Sequence, residues 1–315
     1  MKTARSLLLA VLSLAWARPC LAGAGAEPFD FLFLDAGARA VGLGGAYTAL
    51  AKDASALLYN PAGLARVARH EATFMHNAYL QGISQEYAAY AGPHGWGASL
   101  NYLRFGDVQR TTLSNPEGQG LGQTTLNDLA FGGGYGLSVL DSVALGVGGK
   151  YIREVIDGSA MTGIALDAGA LYSVPLCLGL DVGLALQNIG PTTRSPGAHE
   201  NLPLNLRAGA AYTFYVQGQE SVIALDLSKE RSQGPLAAVG GETRIKELLA
   251  FRLGFNTRNE AGLGLTAGFG FLFDAGSIDY AFVPMGDLGD AHRFSATLRW
   301  DADFLRRPRR LRDPR

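Results

Sequence analysis

The chain runs to 315 residues, with a formal net charge of −1 and 17% charged side chains, against about 25% in ordinary soluble domains. So even a balance gives no electrostatic footprint for nucleic acid, and no apolar run after the first residues reaches the ~20 residues that a membrane-spanning helix needs. Glycine fills 42 positions, close to twice its average share of about 7%, which leaves a secreted β-protein or a membrane β-barrel.

Residues 1–26 read as a signal peptide. Lys2 and Arg5 form a positive start, 6–17 an apolar run, and Ala22, Ala24 and Ala26 offer small-residue cleavage sites. Cys20 follows Arg18 and Pro19, which are not the small residues a lipidation site wants. Export then leaves Cys177 alone, so no intramolecular disulfide forms.

The stretch 27–69 differs from everything after it. Gly42, Gly44 and Gly45 permit close backbone approach. Asp53 is placed to cap a short helix over 54–59. Asn60-Pro61 breaks that helix, and Pro61, with Ala62 and Gly63 behind it, opens a second one. This is a kinked, small-residue segment suited to a confined space.

That stretch carries a family resemblance. GARAVGLGGAYTALAKDASALLYNPAGLA, residues 37–65, resembles the N-terminal signature of the PorV/PorQ outer-membrane proteins, relatives of the FadL-type fatty acid transporters. The resemblance implies that 27–69 is a hatch inside a barrel of about fourteen strands.

From 70 to 300 the chain alternates with period two. Fourteen strands are expected at 70–80, 85–92, 95–104, 128–138, 143–154, 162–173, 178–187, 203–214, 220–228, 236–245, 248–256, 263–273, 277–284 and 292–300. Bulky residues hold one parity, as with Trp96, Leu100 and Tyr102, or Leu265, Phe269, Phe271 and Phe273. The other parity holds small residues and isolated charges instead of the Lys, Glu and Thr of a watered sandwich face. Gly97, Gly133, Gly146, Gly148, Gly169, Gly183, Gly209, Gly254, Gly264, Gly268 and Gly270 are assigned to it, as are Lys150, Asp167, Asp181, Arg207, Asp226, Glu242, Arg252, Asp279, Arg293 and Arg299. Such charges are expensive at membrane depth unless paired or wetted. They are expected to form a paired ladder joining barrel to hatch, with a polar conduit as the alternative. The expected fold is therefore an all-β transmembrane antiparallel barrel around an N-terminal helical hatch.

Tight turns at 92–94, 141–142, 175–176 and 274–276 alternate with longer connections at 105–127, 188–202, 227–235 and 284–291. Outer-membrane barrels put short turns in the periplasm, which places both termini there. The last strand carries Phe294, Leu298 and Trp300, similar to the insertion signal read by the barrel-assembly machinery. The tail 301–315 holds Arg306, Arg307, Arg309, Arg310, Arg312 and Arg315 and is expected as a disordered periplasmic extension. The resemblance also continues through LALQNIG (184–190), LPLNLRAGAAY (202–212), LLAFRLGF (248–255) and DYAFVPMGDLGDAHRFSATLRW (279–300).

No catalytic, cofactor or metal constellation is expected. The five histidines show no ligand spacing, and Gly146–Lys150 and Gly42–Gly44 lack residues their phosphate and dinucleotide motifs require. The resemblance implies two functions. One is hatch-gated passage of hydrophobic small molecules through a FadL-like barrel. The other is a non-conducting accessory role in type IX secretion, partnered by secretion-system proteins. Outer-membrane lipid is the expected surroundings of either.

Overall fold

Strands that are apolar on one parity only can bury the other parity by closing into a barrel, which also removes the unpaired edges. The computed structural model describes residues 28–301 apart from 192, 196, 197 and 260. The signal peptide 1–26 and the arginines from 306 onward lie outside the described residues. The chain forms a closed antiparallel barrel of β1 (His70–Ala78), β2 (Ser84–Ala91), β3 (Trp96–Gln109), β4 (Gln123–Leu140), β5 (Val143–Ile156), β6 (Ser159–Ser173) and β7 (Leu180–Ile189). A small separate hairpin, β8 (Thr193–Ser195) and β9 (Ala198–Glu200), follows. The barrel continues with β10 (Asn205–Val216), β11 (Gln219–Glu230), β12 (Pro235–Ile245), β13 (Leu249–Asn256), β14 (Leu265–Phe273), β15 (Gly276–Pro284) and β16 (Asp290–Trp300). β16 closes on β1, from His70 opposite Trp300 to Ala78 opposite His292.

Each of the fourteen expected strands is present, and the bulky parity faces out. Phe131, Val147, Ile164, Leu225, Phe251, Leu253, Phe294 and Leu298 are all exposed on the outer wall. Turn-end aromatics cluster, with Trp300 stacked on His70 at 5.7 Å and Tyr90 against Trp96 at 4.8 Å.

Three details depart from expectation. Ten residues of the connection 105–127 extend the two strands: β3 runs to Gln109 and β4 starts at Gln123, with a register shift between Arg104 and Asp107. Gly133 shares the outer parity of Phe131 and Tyr135, so Gly132, Gly134 and Gly136 are the inward ones. Gly264 precedes β14 with φ +75° and is a turn residue.

The lumen is occupied. Residues 28–69 start at the end of the barrel where the longer loops lie. Phe29 N–H donates to Glu154 Oε2 at 3.0 Å there, and Phe29, Phe31 and Leu32 pack with Leu103, Ile152 and Leu202. The chain then descends through short helices, Asp30–Phe33, Ala38–Gly42, Ala56–Tyr59 and Pro61–Arg66, to enter β1 at the turn end. None is long enough to be stable alone; the surrounding wall holds them. The first described residues and Trp300 thus lie at opposite ends of the barrel.

Candidate functional site: the plug and its seat

The plug rests on glycines. Cross-strand pairs Gly97–Gly134, Gly136–Gly146, Gly146–Gly169, Gly183–Gly209 and Gly240–Gly254 run round the inner wall. A Cβ at Gly254 would lie 2.1 Å from Gly44 N, one at Gly240 2.4 Å from Leu43 O, and one at Gly183 2.6 Å from Thr48 O. One at Gly169 would lie 2.1 Å from Asn60 Oδ1, one at Gly146 2.2 Å from Ala62 N, and one at Gly136 2.5 Å from Ala65 N. Backbone therefore meets backbone on β4, β5, β7, β12 and β13, while Gly97 of β3 faces the Leu64 and Leu57 side chains, Gly169 of β6 the Asn60 and Pro61 side chains, and Gly209 of β10 the Thr48 side chain. Gly42 meets Gly268 of β14 in the same way, its Cβ position 3.1 Å from Gly268 Cα.

The expected plug residues each have a definite place. Gly44 takes φ +68° and Gly45 φ +82°, and Cβ atoms there would meet Phe255 N at 2.8 Å and Asp35 Oδ2 at 2.5 Å. A Cβ on Gly63 would overlap Ala51 O. Asn60 is extended, as its following proline requires. It accepts from Ala62 N at 3.2 Å and donates to Thr48 O at 3.1 Å and Ala170 O at 3.0 Å, so one amide ties two parts of the plug to β6. Asp53 does not cap the helix directly, since Ser55 holds the N-cap position. Asp53 accepts from Ser55 N at 3.0 Å and Ser55 Oγ at 2.5 Å, a local turn one step earlier. It also accepts from Tyr47 Oη. Burial pushes the Tyr47 phenol well above its usual range, which keeps it a donor.

Nine of the ten expected inward charges pair, several of them with the plug; Arg293 departs from the expected ladder, with no carboxylate in ion-pair range among the described residues. Glu242 takes Arg39 at 2.9 Å, Arg252 at 2.6 Å and Arg244 at 3.1 Å, and Arg252 continues to Asp279 at 2.7 Å. Asp226 takes Arg207 at 3.1 Å and the N–H groups of Tyr47 and Thr48 at 3.1 and 3.0 Å. Lys150 faces Asp167 at 2.8 Å, Lys52 faces Asp181 at 2.6 Å, and Arg299 faces Glu71 at 2.5 Å. Sequence reasoning missed the partners Arg39, Lys52 and Glu71. The first two flank the uncharged run 40–51, which was the available signal. Phe294 and Leu298 face outward on β16, and Trp300 ends it.

Near β12 to β16, at the turn end, the plug stands away from the wall. A cavity of about 390 Å³ opens there, lined by Arg39, Arg244, Arg252, Arg299, Glu220 and Asp279 among others. Among the described residues no cluster of three or more His, Cys, Asp or Glu is placed to hold a metal.

Residues 20–151 match the model of an uncharacterised protein family, UPF0164. No curated protein sequence matches the chain. Among solved structures, the CymD monoaromatic hydrocarbon channel is similar at 13% identity and TM-score 0.53, over 84% of this chain and 97% of that one. The Pseudomonas putida toluene transporter TodX gives 12% identity and TM-score 0.49, over 78% and 92%. The Acinetobacter baumannii outer membrane protein Omp33 gives 10% and 0.45, over 74% and 98%. What the chain shares with CymD at this identity is the fold of a channel barrel.

Proposed function

We propose that the protein is an outer-membrane channel of FadL-like type that passes hydrophobic compounds when its plug, residues 28–69, moves. The observation that carries this is the apolar chamber at the loop end, where Phe29, Phe31 and Leu32 fill a space walled by Leu103, Ile152, Leu202 and, at its edge, Met161. Vacated, that chamber would present an apolar surface to an apolar solute. The apolar outer wall suits lipid, and short turns on one side suit a periplasmic turn end. The fold shared with a monoaromatic hydrocarbon channel supports the same reading. A second reading rests on the glycine seat. Close contact along the glycine arc narrows the lumen, which would suit a PorV-like, non-conducting role in type IX secretion.

One experiment separates them. Lys52→Cys with Asp181→Cys sets one thiol on the plug and one on β7, where the native side chains meet at 2.6 Å, and a short bis-methanethiosulfonate linker joins them, with the exposed Cys177 first replaced by serine. Uptake of labelled toluene above an empty-vector strain, stopped by the linker and restored by reductant, is the expected result. Uptake no better than the empty vector favours the accessory role, and uptake indifferent to the lock removes the gate. Orientation is tested with single cysteines. Asn115→Cys should react with an impermeant thiol reagent on intact cells, and Ser142→Cys should not.

A further inference from the structure

The loop-end chamber is apolar except for two carboxylates. Asp128 of β4 and Glu154 of β5 stand directly opposite each other in register, both on the inner parity. Like charges so placed repel. The wall around them offers no relief, with Leu103 opposite Asp128 on its other side and Met161 opposite Glu154. Asp128 is only 5% exposed, and among the described residues the charge that reaches it is that of Glu154. The next inward cation along β5, Lys150, is taken by Asp167 at 2.8 Å. Arg104 and Arg153 lie on the outward parity.

The plug fills this place with Phe29. Its side chain is 1% exposed and packs with Leu103 and Ile152, while its N–H donates to Glu154 Oε2 at 3.0 Å. The nitrogen, Cα, Cβ and ring of a phenylalanine trace the skeleton of 2-phenylethylamine. The plug's own residue thus sets an aromatic ring in the chamber and an N–H on the carboxylate at that spacing.

As an occupant, Phe29 is incomplete. A backbone amide brings one donor and no charge to a pair of acids, and Asp128 keeps no counter-charge. Phe29 also holds its pose at φ +63°, a left-handed conformation that is uncommon for a bulky side chain. Strain of this kind makes a segment easier to displace. A neutral ring in its place would leave Asp128 as it is. An ammonium brings a positive charge and three donors, which answers both carboxylates.

We propose that the loop-end chamber binds an aromatic amine of the 2-arylethylamine type, its ammonium between Asp128 and Glu154 and its ring where the Phe29 ring sits. The space is the volume of Phe29 itself, so the inference rests on the movable-plug reading above and narrows its substrate class. Glu154 is half-buried, which leaves the pair approachable from the loop end.

The test measures binding of labelled 2-phenylethylamine to the purified full-length protein in detergent by equilibrium dialysis. Phe29→Ala empties the ring position without any movement of the plug, and is expected to bind the amine more tightly than wild type. Adding Asp128→Asn and Glu154→Gln to it should weaken that binding about tenfold or more, as loss of hydrogen bonds to charged groups does. An excess of 3-phenylpropionate, the same ring bearing a carboxylate, should not compete. No saturable binding by Phe29→Ala, or binding unchanged by the two amide substitutions, overturns the site. If the triple variant does not assemble, Asp128→Asn in Phe29→Ala decides by the same criterion. Uptake by cells then separates the two readings. Toluene uptake no better than the empty vector counts against the channel, while dialysis still upholds or overturns the amine site. Toluene uptake retained, with amine uptake equal in wild type and in Asp128→Asn with Glu154→Gln, overturns the amine as substrate.

Discussion

The plug meets its barrel in two unlike ways. Along β3 to β7 and β10 to β14, apart from β11, the contact is close, backbone on backbone at β4, β5, β7, β12, β13 and β14, with glycines where a Cβ would strike the plug. Along the lower parts of β15, β16 and β1, side chains and space intervene: Thr73, Ser277, Ser295 and Thr297 face the plug across a polar gap. The first arc is dry and shape-determined, so a single added carbon is felt. The second is polar and wettable, so small changes there are absorbed. A plug seated tightly on one side and loosely on the other has a natural direction in which to move.

The largest effect should come from the dry arc. Gly146→Leu puts a Cβ 2.2 Å from Ala62 N and 2.3 Å from Pro61 C, backbone atoms that cannot step aside. Its cost should reach or exceed the ~3 kcal/mol usual for overpacking, and the plug rather than the hydrogen-bonded wall should give way. Planar-bilayer recordings should then show a barrel with raised conductance. Thr297→Leu, in the polar arc, should stay near wild type, and equal leakage from both would erase the distinction between the arcs.

Next comes the ion cluster at the border of the two. Glu242→Ala leaves Arg39, Arg244 and Arg252 facing one another without their shared carboxylate, and stripping one partner from buried pairs costs about 3–5 kcal/mol. A lower temperature for loss of the folded electrophoretic form is expected, with Glu242→Gln intermediate. Asn60→Ala follows. It removes two donated bonds and one accepted bond in a place with no room for water, for about 1–3 kcal/mol and a mild leak.

Much of this architecture was legible beforehand, because period-two alternation is a direct consequence of a wall with one apolar face. Trp96, Leu100, Leu253 and Phe294 declared the outer parity, and Gly146, Gly169 and Gly183 on the opposite parity implied a close occupant. The strand extensions within 105–127 were illegible for a physical reason: beyond the apolar belt both faces are wet, and alternation disappears. Gly133 was misplaced within a run of three glycines, where only Phe131 and Tyr135 mark the face. Partner choice could not be read at all. Arg293 looks like Arg252 in sequence, and only the closed geometry shows that one has Glu242 and Asp279 while the other has no carboxylate in ion-pair range among the described residues.

The smallest expected effect probes the polar arc itself. Ser295 Oγ accepts the N–H of Ala38 at 2.8 Å, a buried bond between the plug's first helical turn and β16. In a dry site, Ser295→Ala would strand that N–H at a cost of about 1–3 kcal/mol, as at Asn60. Here the pocket beside Ala38 and Ser295 has room for roughly one water, which can take over the N–H. The loss should therefore stay below about 1 kcal/mol, a barely measurable change in heat resistance beside Asn60→Ala in the same assay. Hydrogen exchange gives a sharper reading. The Ala38 amide in Ser295→Ala should exchange much faster than in wild type while global stability barely moves, because the replacing water is itself exchangeable. If Ser295→Ala destabilises as much as Asn60→Ala and Ala38 stays protected, the gap is dry, and the plug is held alike on both sides.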